Sequence, residues 1–162
     1  MKKIVFFIIL NLPFLSCGTY ENSTDCHHSI KIINNYKNAI YVNASYLYPD
    51  TSDFHYSGLK DNSHIYKILS NNESDEPLNL GRDCWEILFK YKNVINSDTL
   101  MIYFFDAQLI ENIPWDIIAN EYKILKRYDL SLKDLINHNW TISYPPNENM
   151  KNIKMYPPYQ EK

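Results

Sequence analysis

The run "LMIYFF", Leu100 to Phe105, constrains this chain more than any other stretch. In a strand, successive side chains point to opposite faces, so an uninterrupted apolar run presents apolar groups on both. A strand of this kind has to be covered on each side and reads as the central strand of a sheet. The surrounding sequence therefore has to supply two packing layers.

Alternating segments supply one source. Ile40, Val42, Ala44, Tyr46 and Tyr48 alternate with Tyr41, Asn43, Ser45 and Leu47, which is the period of a half-buried strand. "SIKIINN" precedes it, and Asn34, Asn35 and Asn38 between the two predict a hairpin. "PDTSDFHYSGLKDNS" reads as a long loop, "HIYKILS" as a short strand and "NNESDEPLNLGRD" as a polar turn. In "CWEILFKYK", Trp85, Ile87, Phe89 and Tyr91 fall on one face of an expected strand, opposite Glu86, Leu88 and Lys90. Trp140, Ile142 and Tyr144 alternate likewise, until Pro145 and Pro146 stop the strand.

The last third changes period. Trp115, Ile118, Ala119 and Tyr122 stand at i, i+3, i+4 and i+7, a helical stripe entered through Pro114. Ser131 and Asp134 have the spacing of a capping box ahead of Leu132, Leu135 and Ile136, which predicts a second short helix. The patterning thus predicts a mainly β single domain, an antiparallel sandwich of about six strands with two short late helices. An α+β arrangement is the neighbouring alternative.

The N-terminus carries a different kind of information. Lys2 and Lys3 precede "IVFFIIL", and Asn11 and Pro13 interrupt the run before "FLSCG". That is a charged region, an apolar core and a small-residue cleavage zone, the pattern of an export signal. A membrane span would need about 20 consecutive apolar residues. "FLSC" followed by Gly18 resembles the lipobox of bacterial lipoproteins, in which the signal is cut just before a cysteine that becomes diacylated. Residues 1–16 are then signal peptide, and Cys17 is the lipidation site. Each buried CH₂ of an acyl chain contributes about 0.8 kcal/mol, so two or three chains give durable anchorage.

With Cys17 acylated, Cys26 and Cys84 remain, an even pair in an oxidising compartment. A bridge between them is expected, stabilising by about 4 kcal/mol in the chain-entropy account. The other arrangement is two buried free thiols. Residues 17–28 read as lipidated cysteine and tether, 29–146 as the β-rich body and 147–162 as a Pro-bounded tail draped on the body through Met155 and Tyr156. His27 and His28 fall in the tether and read as solvated, since adjacent side chains in an extended segment point apart.

"DTLMIYFFDAQ", "PWDII", "YKILKRYDLSLKDL" and "NWTISYPP", with "AIYVNASYLYPDT" before them, occur in this order. The set resembles a group of small, uncharacterised lipoproteins of Bacteroides-type gut bacteria over most of the mature chain. The resemblance implies a bacterial cell-envelope protein, lipid-anchored in the outer membrane on its periplasmic or surface face. It implies no activity and no catalytic residue. In such bacteria an acidic signal just after the acylated cysteine directs many lipoproteins to the surface, and here Glu21 and Asp25 are the acidic residues available. Asp98, Thr99 and Leu100 match an O-glycosylation acceptor of these organisms, but Thr99 lies at the edge of the central strand and reads first as a strand residue. The sequons starting at Asn22, Asn43, Asn72 and Asn139 are not read as glycan sites in such a lipoprotein.

Chemistry is sparse. The mature chain carries a net charge of minus 5, with no basic stripe, so no nucleic-acid partner is expected. The only glycines are Gly18, Gly58 and Gly81, which leaves no Gly-rich phosphate loop, and neither H-E-x-x-H nor C-x-x-C occurs. No cofactor and no metal are expected. His55, His64 and His138 are candidate bases without a serine in a nucleophile elbow, and His138 suits a helix end. Asp106 and Asp116 flank the loop after the central strand and define a rival reading, a small envelope hydrolase. The leading expectation is a non-enzymatic binding or structural domain for a protein or glycan partner. Its candidate binding patch is Tyr46, Tyr48 and Tyr56, since tyrosine offers rigid contact area with a polar tip.

Overall fold

The computed structural model describes residues 26–51, 66–90 and 97–161. Among these, β1 (Lys31–Asn34), β4 (Asn72–Ser74) and β7 (Thr141–Tyr144) form one sheet in the order β4-β1-β7. β2 (Ile40–Ser45), β3 (Tyr66–Ile68), β5 (Thr99–Asp106), β6 (Lys126–Ser131) and β8 (Lys154–Tyr156) form the other, in the order β3-β2-β5-β6-β8. Four short α-helices, α1 (Trp85–Lys90), α2 (Ala107–Asn112), α3 (Trp115–Asn120) and α4 (Leu132–Asn137), and two 3-10 turns, Glu76–Leu78 and Glu148–Met150, complete the described elements. The domain is mainly β, as its patterning predicts, and antiparallel except for the parallel pair β1–β7.

β5 is the central strand, and every residue from Leu100 to Phe105 is buried. Leu100, Ile102 and Phe104 join Ile40, Val42, Tyr128 and Leu130 of the same sheet in a core that also holds Ile32 and Ile142 of the other sheet. Met101, Tyr103 and Phe105 face the opposite way, into a second core covered by Ile118 and Ala119 of α3. Both faces of the central strand are thus dry, one under a sheet and one under helices.

The expected hairpin between the first two strands does not form, because β1 and β2 belong to different sheets. The fully buried Asn34 sits at the point of departure. Its amide nitrogen donates to the carbonyls of Asn38, Ile68 and Leu69, each at 3.0 Å, and its oxygen accepts from the Tyr36 N–H at 2.9 Å. Those bonds satisfy backbone groups where the chain leaves one sheet for the other.

The segment after Cys84 is a helix, not the expected strand. Trp85 and Phe89 are buried while Ile87 is 39% exposed. Periods of two and of about four both place Trp85 and Phe89 together, and only Ile87 distinguishes them. Two helices beyond the expected pair therefore appear, α1 and α2, the latter capped by the Asp106 side chain accepting from the Gln108 N–H. The tail also differs from a draped segment. Lys154–Tyr156 pairs with β6 as an edge strand, with buried Met155 opposite Tyr128 and Tyr156 facing solvent.

Candidate functional site

The segment entering β1 is strapped onto α1 by several independent contacts. The N–H of Trp85 donates to the His27 carbonyl at 2.9 Å, and the N–H of Leu80 to the His28 carbonyl at 2.8 Å. Cys26 and Cys84 form the expected disulfide across the same junction, with their Cα atoms 5.3 Å apart. His27 and His28, read as solvated tether residues, are part of the folded body instead. His27 donates its backbone N–H to Glu86 Oε2 at 2.9 Å, its ring Nδ1 bonds Glu86 Oε1, and its ring lies on the indole of Trp140.

This stack forms the floor of a cleft of about 610 Å³. α1 contributes Glu86, Ile87 and Lys90, the side left outward once Trp85 and Phe89 turn into the core. The end of α4 contributes Ile136, and Asn139 follows it. The chain then reverses into β7 through two consecutive left-handed residues, Asn139 at φ 49 and Trp140 at φ 56. Asparagine tolerates this region, but for a tryptophan it costs on the order of 1–2 kcal/mol, so the packing of the indole has to hold it there. Such strain concentrates at functional sites. The walls are aliphatic, with Ile136 56% exposed, and the described rim offers a carboxylate, an ammonium and an amide. These groups suit binding of a partly apolar ligand with polar contacts at its edge.

Of the expected patch, Tyr56 lies outside the described residues, as do Cys17, His55 and His64. Tyr46 and Tyr48 do not share a face. Tyr46 packs on the core between the sheets, 6.1 Å from the Trp85 ring, where burial raises its hydroxyl pKa. Tyr48 packs on the other core, and Lys154 Nζ donates to its hydroxyl at 2.6 Å. β2 ends at Ser45, so the alternation of the strand no longer governs these two residues.

The residues of the hydrolase reading do not converge. Asp106 serves as an N-cap and also accepts from Asn38 Nδ2 at 3.2 Å. Asp116 belongs to the first turn of α3, on the helix-covered face of the large sheet. His138 terminates α4 on the other face, with its two ring nitrogens against the carbonyls of Asp134 at 2.8 Å and Asn149 at 3.2 Å. The sheet itself stands between His138 and Asp116. Thr99 opens β5 half-buried, its hydroxyl donating to Asp98 Oδ1 at 3.1 Å.

A second polar cluster lies on the helix-covered face. Asp129 is buried and receives Arg127 through two bonds, Nε to Oδ1 at 2.7 Å and Nη2 to Oδ2 at 3.2 Å. Arg127 Nη1 donates to the Tyr122 hydroxyl at 2.8 Å. Burial disfavours the guanidinium charge, but Asp129 and Tyr122 outweigh it and hold the pKa above its usual value. This pair sits within β6, between β5 and β8, and both oxygens of its carboxylate are engaged.

A mainly β domain of two sheets, stapled by a disulfide beside an aliphatic-walled cleft, is the class that fold and site define. The chain matches no protein-family model, no curated protein and no solved structure.

Proposed function

We propose that this chain is a lipid-anchored lipoprotein of a bacterial cell envelope, of the small uncharacterised group its sequence resembles, whose body binds a partner through the cleft floored by His27 and Trp140. The address rests on Lys2, Lys3, the apolar run and "FLSCG", with Cys17 as the acylated residue. The cleft carries the binding half of the reading. Exposed Ile87 and Ile136 stand either side of a rim of charged and polar groups, which matches an apolar side chain of a partner protein better than a sugar. Sugar faces are met chiefly by open aromatic platforms, and Trp140 is covered by His27.

Placement of a photo-crosslinking residue at Ile136, in cells, tests the binding reading. A discrete crosslinked species at Ile136, with none from the exposed Leu69 outside the cleft, is the expected result. Equal labelling at both positions, or none at Ile136, defeats it. Mass spectrometry of the N-terminal peptide tests the anchor independently, and an unmodified Cys17 would refute it.

A further inference from the structure

The junction that closes the N-terminal strap holds a third group besides its two sulfurs. Ligand atoms of Cys26, His28 and Cys84 all lie within 4.8 Å of one another. We propose that the reduced chain binds a thiophilic divalent cation through these residues, so that the strap has a covalent closure and a metal closure.

The imidazole has the tautomer this role needs. His28 Nδ1 lies 2.8 Å from the Asp83 carbonyl, an oxygen that can only accept, so Nδ1 carries the hydrogen and Nε2 keeps its lone pair. A backbone carbonyl on the far ring nitrogen is the usual way a ligating histidine is oriented. His28 Nε2 stands 3.6 Å from Cys26 Sγ and Nδ1 3.8 Å from it, so the sulfur lies beside the ring and has to swing towards the Nε2 side once the bridge is open. Tetrahedral zinc with bonds of about 2.3 Å to sulfur and about 2.1 Å to nitrogen holds those two atoms about 3.6 Å apart. The two sulfurs would have to separate to about 3.8 Å in the same geometry. Side-chain rotation can supply that movement between Cα atoms 5.3 Å apart.

The ligands stay together without the bridge. Trp85 N–H to His27 O, Leu80 N–H to His28 O and Ile30 N–H to Leu78 O hold the strap through backbone alone. Reduction consumes two electrons and two protons from a dithiol reductant, which leaves as its own disulfide. Zinc then displaces the two thiol protons and is bound as a bis-thiolate imidazole complex. His28 is exposed, which leaves the fourth position to water.

The test uses the full acylated chain extracted from membranes, kept oxidised or reduced anaerobically with a phosphine. Competition with a chromophoric chelator should find one zinc per reduced chain and none per oxidised chain. His28→Ala should weaken binding by more than about tenfold, and cobalt in place of zinc should show sulfur-to-metal charge transfer. Zinc should also raise the urea midpoint of the reduced chain alone. No zinc bound on reduction, unchanged affinity in His28→Ala, or a lowered midpoint from binding to the unfolded chain would each overturn the proposal.

Discussion

His27 lies flat on Trp140, ring centroids 4.3 Å apart and planes 13° from parallel, although the two residues are separated by almost the whole described chain. The contact joins the strap to the turn between α4 and β7 and carries the cleft floor. Trp140→Ala should destabilise the domain by about 3–5 kcal/mol as a large buried truncation. His27→Ala should cost about 1 kcal/mol, since it removes one stacked ring from a half-exposed position. Urea unfolding of both variants checks the ordering.

Asn34 makes four hydrogen bonds from a fully buried position. Asn34→Ala strips partners from backbone groups that water cannot reach. A loss of about 2–3 kcal/mol is expected, measured by chemical denaturation.

Helical rather than extended structure after Cys84 makes Ile87 and Phe89 behave differently. Ile87→Asp should change stability by less than about 1 kcal/mol, because the side chain is already partly in water. Phe89→Asp should cost more than about 4 kcal/mol or abolish folding, since it buries an unpaired charge. Comparable losses at both positions would indicate a strand.

Three core tyrosines predict alkaline unfolding. Burial pushes the hydroxyls of Tyr103, Tyr128 and Tyr144 far above their ordinary value, outweighing the opposing pull of the Arg127 charge on Tyr103. Below about pH 10 these groups are neutral in both states and their contribution is fully present. As pH rises past that point the unfolded chain ionises first, so stability is lost progressively towards the raised folded values. A circular-dichroism titration should show unfolding at alkaline pH together with phenolate absorbance, and Tyr128→Phe should move the midpoint upward. Phenolate appearing while the fold stays intact would contradict it.

Asp129 and Arg127 form a charge pair whose carboxylate is 1% exposed. Asp129→Ala leaves a partly buried guanidinium without its counter-charge, held by the Tyr122 hydroxyl alone. A loss of about 3 kcal/mol is expected, readable as a shift in thermal midpoint.

Much of the frame follows from local pattern. The doubly apolar run from Leu100 to Phe105 demanded two covering layers, and it received them. The Ser131–Asp134 capping box needs only neighbours within one turn, so it forms as its spacing predicts. Other elements escaped the pattern for identifiable reasons. β6 carries Arg127 and Asp129 on its helix-covered face, and these charges hide a buried strand because their pairing is not visible in sequence. The cleft escaped for a related reason. His27, Glu86 and Trp140 show no motif, since they meet only after the strap, α1 and the α4 turn have docked.

By itself, the sequence determined what depends on neighbouring residues: the central strand, the two late helices and the mainly β class. Only the tertiary structure decided that β1 and β2 part company, that residues 85–90 wind into a helix, and that Tyr46 and Tyr48 diverge. Those outcomes depend on contacts distant along the chain. A buried amide such as Asn34 or a floor such as Trp140 has its meaning only once its partners, tens of residues away, are in place.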